Sequence, residues 1–180
     1  LLRGRFDTHG RRLGALAEVA LALAAGPTPD VLRLLAEGAL EIVPGDAALL
    51  YATVPTGGLE LVAATGAART VVGQRETAGE LVRAQAQRHA SISWDLTKGA
   101  VIRAIPDAKG AIIVPIPGIA EAVAGVLVVV TTRRRPYGEP HVQVLSSYAS
   151  FIGAALNAPD VGSERGVLVS QVAGAQVSTR

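Results

Sequence analysis

The side chains that could bind a ligand are few in this sequence, and most lie near its middle. Trp94, the only tryptophan, could stack on a planar ligand, and Asp95 beside it could accept hydrogen bonds from ligand N–H groups. Thr97 adds a hydroxyl to the same segment, and Arg103 adds a guanidinium that suits an anionic group. Tyr51 contributes a phenol from an earlier apolar segment. These five residues are the predicted ligand-binding set.

Four of these residues also have a purely structural interpretation, which the sequence leaves open. Trp94 could cover the edge of the core while Asp95 begins a turn. Tyr51 could be a half-buried core residue, and Arg103 could be a solvated surface cation. The sequence alone does not choose between a ligand pocket and this interpretation.

Residue types that serve catalysis or metal binding are scarce. The chain has no cysteine, which excludes disulfides, thiolate metal sites, cysteine nucleophiles and thioether-linked chromophores. His9, His89 and His141 are too scattered to indicate zinc. His89 could serve as a haem ligand or could cap a helix C-terminus, and we favour the cap. Neither a Gly-x-Ser-x-Gly sequence nor a P-loop occurs. We therefore predict no enzyme activity, no cofactor and no metal.

Charge and hydropathy limit the partners. The formal net charge is +2, so we interpret Arg133–Arg135 as a solvated turn and expect no direct nucleic-acid partner. No uninterrupted apolar run reaches about 18 residues, so we expect no membrane span.

The lack of cysteine fits a reducing cytoplasm, and the excess of arginine over lysine is typical of GC-rich bacteria. Because the chain begins at Leu1 without an initiator methionine, we expect a fragment of a longer protein.

The strongest structural signal is the segment Gly110–Thr132. Its two runs, Ala111–Ile116 and Val123–Thr132, are rich in Ile, Val and Leu and are separated by a turn containing Pro and Gly. This pattern predicts a buried β-hairpin that supplies two central, adjacent strands. We expect five side chains from this hairpin and the flanking helices to be almost fully buried: Leu35, Ile113, Leu127, Val129 and Ile152.

The remaining elements follow from periodicity and from breaker residues. The predicted order is α-α-β-β-α-β-loop-β-β-α. Its parts are a helix at 11–25, a helix from Pro29 to Pro44, a hairpin turning at Gly57-Gly58, a helix from Thr77 to Arg88 with a Thr-x-x-Glu capping box, a strand at Ala90–Trp94, a loop at Asp95–Ala108 with one helical turn at most, and a closing helix at 140–158.

This order resembles the GAF domain, a relative of the PAS sensory domain. The resemblance covers residues 11–158 and rests on the helix and hairpin from DVLRLLAEG to VAATG, on GELVRAQAQRHASISWDL, on AIIVPIP with AGVLVVVTTRRRPYG, and on a closing helix that ends in ALNA. It implies an α+β fold with an antiparallel sheet of five or six strands. Terminal helices would lie on one face, while a helix and loops would cover the other. Residues 1–10 would be a lead-in, and residues 159–180 a tail or linker.

The resemblance also implies a function. We expect a non-enzymatic module that senses a small molecule and relays the signal within a larger bacterial signalling or transcription-regulatory protein with a fused output domain. The pocket would lie between the sheet and the helix from Thr77 to Arg88, closed by the loop Asp95–Ala108. The alternative is a ligand-free structural dimerisation module. In either case we expect a homodimer formed through helices 11–25 and 140–158, because the closing helix carries an apolar stripe.

Overall fold

The computed structural model describes residues 28–156 except 95, 97, 98, 135 and 136. The lead-in at 1–10, the helix predicted at 11–25 and the tail predicted at 159–180 lie outside the described residues. The described elements, in chain order, are α1 (Pro29–Ile42), β1 (Ala47–Thr53), β2 (Leu59–Ala64), a 3₁₀ helix (Gly66–Val71), β3 (Arg75–Glu76), α2 (Glu80–Gln87), β4 (Ser91–Ser93), α3 (Ala100–Ala104), β5 (Gly110–Pro117), a 3₁₀ turn (Ile119–Glu121), β6 (Val123–Thr131) and α4 (Glu139–Leu156).

One six-stranded sheet, in the order β3-β2-β1-β6-β5-β4, organises the described residues. All neighbouring strands are antiparallel. Strands β5 and β6 form the predicted hairpin, with Gly110 opposite Thr131 and Val114 opposite Leu127. Both strands lie inside the sheet, because β4 flanks β5 and β1 flanks β6. The hairpin prediction is confirmed.

The sheet is buried on both faces. Helices α1 and α4 cover one face with a cluster that includes Leu35, Leu127 and Ile152. Helices α2 and α3 and the first 3₁₀ helix cover the other face, against residues such as Ile113 and Val128. Because alternate residues of β6 point to opposite faces, its continuous apolar run follows from burial on both sides. The predicted α+β fold, with an antiparallel sheet and a helix-covered second face, is confirmed.

All five predicted core side chains are buried: Leu35, Leu127, Val129 and Ile152 are 0% exposed, and Ile113 is 1% exposed. Helix α1 begins after Thr28, whose side chain accepts a hydrogen bond from the Val31 N–H, with Pro29 in its first turn. The sequence predicts a helix that begins at Pro29, and this start is confirmed.

The apolar stripe of helix α4 packs against the sheet of its own chain. Leu145, Ala149 and Ile152 are fully buried, and the buried Tyr148 hydroxyl donates to the Leu35 carbonyl of α1 at 3.0 Å. Gly153 lies against the backbone carbonyl of Pro117, where a Cβ would have no room. The stripe therefore packs in the core of the monomer, so it does not by itself support the predicted homodimer.

The start of α2 differs from the sequence prediction. Thr77 is exposed, and the N-cap is Gly79, which makes no side-chain cap and has a φ of 103°. The capping-box prediction is wrong because this glycine's left-handed backbone begins the helix two residues after Thr77. The 3₁₀ helix and the two-residue strand β3 were not foreseen, since such short elements have no periodicity to detect. The single helical turn allowed in the loop is α3.

None of the described helices is long and apolar enough to cross a membrane.

Candidate functional site

Tyr51 lies where the sequence places it, on the sheet face covered by α2 and α3. Its side chain is 2% exposed and belongs to the cluster that contains Leu81 of α2 and Val101 of α3. Burial, reinforced by the nearby carboxylates of Glu76 and Glu80, raises the pKa of the Tyr51 phenol well above its usual value, while Arg103 opposes the shift. The phenol therefore stays neutral over the physiological range.

Arg103 pairs with a buried carboxylate on the edge strand β3. Its guanidinium donates to Oε2 of Glu76. The Glu76 side chain is 7% exposed and that of Arg103 is 55% exposed. The hydrogen bond that Arg103 donates to Glu76 raises the pKa of Arg103 further, so the guanidinium stays charged. This ion pair connects α3 to β3 at the edge of the sheet.

Glu80, the first residue of α2, completes a polar group that we call the Glu76 cluster: Tyr51, Glu76, Glu80 and Arg103. Oε1 of Glu80 is buried and has no hydrogen-bond partner among the described residues. Burial raises the pKa of Glu80, while the Arg83 charge and a hydrogen bond from the Val101 N–H oppose that shift. A carboxylate oxygen that is buried without a hydrogen-bond partner costs free energy in its ionised form, which is the cause of the raised pKa.

The position of Glu80 also depends on a glycine. Gly99 precedes α3 with a φ of 113°, and a Cβ there would lie 2.9 Å from the unpartnered Glu80 oxygen. Positive φ and close approach together favour glycine at this position. The short helix α3 is thereby brought close to the start of α2.

Among the described residues, the space below the Glu76 cluster, where the ligand pocket was expected, is packed with aliphatic side chains. Leu49, Leu59, Leu61, Leu81 and Val101 are at most 1% exposed, and alanines of α2 and α3 pack between them.

Trp94 does not lie with Tyr51 and Arg103. Its ring stacks on Tyr137, with centroids 5.7 Å apart and planes at 25°, and Tyr137 belongs to the cluster on the α1–α4 face. Ile92 packs against that cluster too, and side chains two residues apart in an extended strand share a face. The prediction that Trp94 and Tyr51 wall one pocket is therefore wrong, because they lie on opposite faces of the sheet.

Asp95 and Thr97 lie outside the described residues, so their predicted role stays a prediction. His89 is exposed just after α2, next to Arg88, the left-handed residue that ends this helix. His141 packs edge-on against Tyr137 and accepts a hydrogen bond from the Gly138 N–H. Within the described ranges, no group of three or more His, Asp or Glu side chains could hold a metal ion.

Two open grooves run along α4, on the opposite side from the Glu76 cluster. One, of about 470 Å³, lies between α4 and the turn after β5, beside the exposed Arg88–Glu121 ion pair. The other, of about 640 Å³, lies between α4 and the edge strand β4. Tyr51, Trp94 and Arg103 line neither groove, and sequence periodicity gives no signal for grooves of this kind.

Comparison with solved structures identifies the fold. The GAF-B domain of DevS from Mycobacterium smegmatis matches with a TM-score of 0.62 and 22% identity, over 78% of this chain and 99% of that one. The GAF domain from a phosphoenolpyruvate-protein phosphotransferase of Coxiella burnetii matches with a TM-score of 0.66 and 22% identity, over 81% and 92%. The phycoerythrobilin-bound GAF domain from a cyanobacterial phytochrome matches with a TM-score of 0.64 and 12% identity, over 81% and 94%.

The chain therefore has the GAF fold, as the sequence resemblance implied. No family model matches the sequence, and no curated protein matches it.

Proposed function

We propose that this chain is a non-enzymatic regulatory module of a larger signalling protein, and that it relays changes in packing without holding a small molecule in its interior. The observation that carries the proposal is the filled layer between the sheet and helices α2 and α3. Tyr51, Leu81 and Val101 are at most 2% exposed there. The similar structures are described as domains of a phosphotransferase, a phytochrome and DevS, which supports a modular role.

The physical basis is a shift between two packings of the terminal helices. A flanking domain that contacts α1 or α4 changes the module only if it binds one packing better than the other. The Tyr148–Leu35 hydrogen bond joins these two helices, so a movement of one helix acts on the other. No interior ligand is needed for this relay.

Small-molecule sensing is the second candidate, and one observation favours it. The Glu80 oxygen lacks a partner, and the Arg103 side chain beside it is 55% exposed. A ligand with an N–H donor could satisfy Glu80, and an anionic group on that ligand could draw Arg103 away from Glu76. Binding would then require α2 or α3 to move, because the layer below is filled.

Native mass spectrometry and thermal unfolding of the full chain separate the two candidates. A relay module without an interior ligand should show only the mass of the protein, and its unfolding temperature should not respond to nucleotides, haem, flavins or small aromatic acids. Trp94 fluorescence is unsuitable for this test because Trp94 lies on the other face of the sheet.

The sensing candidate gives a different result. One of these compounds would raise the unfolding temperature and slow amide exchange in α2. Arg103→Gln would remove that response, whereas Arg69→Gln, which alters an exposed ion pair with Glu37, would keep it. Such a ligand would overturn the first proposal.

Three further expectations from the sequence stay part of the proposal: a bacterial source, a cytoplasmic location and a fused output domain. Homodimerisation through helices 11–25 and 140–158 also stays a prediction, although the buried stripe of α4 no longer supports it. Sedimentation of the full chain at micromolar concentration tests it, and a single monomeric species would contradict it.

A further inference from the structure

The turn between β5 and β6, residues 118–122, holds two consecutive residues in a backbone conformation that L-amino acids disfavour. Ala120 has a φ of 51° and a ψ of 48°, and Glu121 has a φ of 63°. Glycine, asparagine and aspartate adopt this left-handed conformation more readily, whereas alanine has no polar side chain to compensate for it. Such strain persists only where surrounding contacts hold the backbone in place.

Two side-chain contacts join this turn to the end of α2. Arg88, which ends α2 with a φ of 52°, donates to the Glu121 carboxylate at 3.2 Å. The Gln85 amide donates to the Thr53 hydroxyl at 2.8 Å, and this hydroxyl donates at 2.7 Å to the carbonyl of Val123, directly after the turn. The conformation of the turn therefore depends on a helix that covers one face of the sheet.

Helix α4 meets the start of the same turn on the opposite face of the sheet. Gly153 lies so close to the carbonyl of Pro117, the last residue of β5, that a Cβ would have no room. The pairing register of β5 with β6 shifts between Ile116 and Pro117, so the hairpin leaves regular pairing at this contact. A change in the turn therefore changes the surface against which α4 packs.

An open groove gives the turn space to move. It has a volume of about 470 Å³ and lies between Glu121 and Ala122 of the turn and Ser146 and Ser150 of α4. The ion pair that holds the turn is also exposed, with 85% of the Glu121 side chain and 55% of the Arg88 side chain accessible. Because exposed ion pairs are weak, a modest change in free energy is enough to open this one.

We propose that this turn is a two-state switch that couples α2 to α4 around the end of the sheet. In one state Arg88 holds Glu121, the turn keeps its left-handed residues, and Gly153 packs on Pro117. In the other state the ion pair is open, the turn relaxes into the groove, and the end of α4 loses this support. The switch rests on the relay function proposed above and is the element that carries the relay.

Coupling between two sites acts equally in both directions. A flanking domain that binds α4 in its supported state therefore also favours the closed ion pair at the end of α2. A change at the end of α2 reaches α4 through the same contacts.

Amide hydrogen exchange of the full chain, measured without any added ligand, tests the coupling. Glu121→Gln removes the ion pair and should speed exchange by about two- to fivefold, the factor that corresponds to an exposed ion pair. This increase should occur in the turn and also in residues 150–156 of α4. Ala120→Asn should slow exchange in both segments, because asparagine tolerates the left-handed backbone and Ala120 is exposed, with room for a longer side chain.

Two further variants show whether the effect belongs to this ion pair. Arg75→Gln is the matched control, because it removes an exposed ion pair with Glu60 on strands β2 and β3, and it should leave exchange in α4 unchanged. Arg88→Gln should reproduce the effect of Glu121→Gln. The double variant should show no further increase, because both substitutions remove the same interaction.

Three results would overturn the proposal. The first is faster exchange of the turn alone in Glu121→Gln, with α4 unchanged, which would make the ion pair a local contact. The second is unchanged or faster exchange of residues 150–156 in Ala120→Asn. The third is an equal increase in the amides of β1 in Glu121→Gln, which would show general destabilisation. Because no ligand is added, these results are independent of the native mass spectrometry that tests the relay function itself.

Discussion

Replacing Leu127 by alanine tests the assignment of the core most directly. Leu127 is 0% exposed and lies on β6, between Leu50 of β1 and Val114 of β5. Its side chain belongs to the cluster covered by α1 and α4. The two flanking strands and the helical layer hold the surrounding backbone, so the site has little freedom to collapse around a smaller side chain.

The expected magnitude has two parts. Removing three buried carbons costs about 2.4 kcal/mol at roughly 0.8 kcal/mol for each methylene. A remaining cavity of roughly 60 Å³ adds about 1.5 kcal/mol. We therefore expect a loss of about 4 kcal/mol, within the range of about 2–5 kcal/mol seen for such changes. This is a large part of the stability of an ordinary domain.

Urea unfolding of the parent chain and the variant measures the loss, provided that the slope with urea stays the same. Val144→Ala is the matched control, because Val144 on α4 is 45% exposed, and it should change stability by less than about 0.5 kcal/mol. A loss below about 1 kcal/mol in the free energy of unfolding of Leu127→Ala would refute the reasoning, since a cavity in a core that does not collapse destabilises the fold by more than that.

Three other substitutions test separate contacts. Glu80→Gln should raise the unfolding temperature near pH 7, because the raised pKa of Glu80 means that its ionised form destabilises the fold. The gain should vanish below the usual glutamate pKa of about 4.3, where the carboxyl is protonated in both the folded and the unfolded chain. An equal gain at both pH values would contradict this cause. Gly153→Ala should lower the free energy of unfolding, measured with urea, by about 1–3 kcal/mol, since its Cβ would meet the Pro117 carbonyl. An unchanged free energy would show that α4 does not pack against Pro117 at this position. Tyr148→Phe should cost about 1 kcal/mol by the same assay, because it removes the buried bond to Leu35; unchanged stability would refute that bond's contribution.

Sequence patterns were sufficient for the elements whose burial shows in their periodicity. The hairpin Gly110–Thr132 could be predicted because both faces of its strands are buried, so β-branched residues run without interruption. Helix α1 could be placed because Pro29 is a start signal and Pro44-Gly45 follows its end. The short elements β3 and α3 lack such patterns, and Gly79 begins α2 where Thr77 was expected to do so.

For the candidate site, the sequence supplied residue types without their partners. The structure places Tyr51 and Arg103 on the same side of the sheet, near Glu76, and their role in ligand binding stays a prediction. Their partner Glu76 was missed because it lies on a two-residue strand, 27 positions before Arg103. The structure also shows the layer closed by leucine and valine side chains, which composition could not locate.

Trp94 shows what the sequence determines by itself and what it leaves to the tertiary structure. The sequence determined that it is the only tryptophan and predicted it at the end of a short strand, which in the structure ends one residue earlier, at Ser93. Local periodicity determined most of the described helices and strands. Only the tertiary structure decided which face of the sheet Trp94 joins, because that depends on the pairing register of β4 with β5 and on Tyr137, 43 positions later in the chain. Local backbone preferences act over a few residues, whereas register and packing are set by contacts between distant segments that form together.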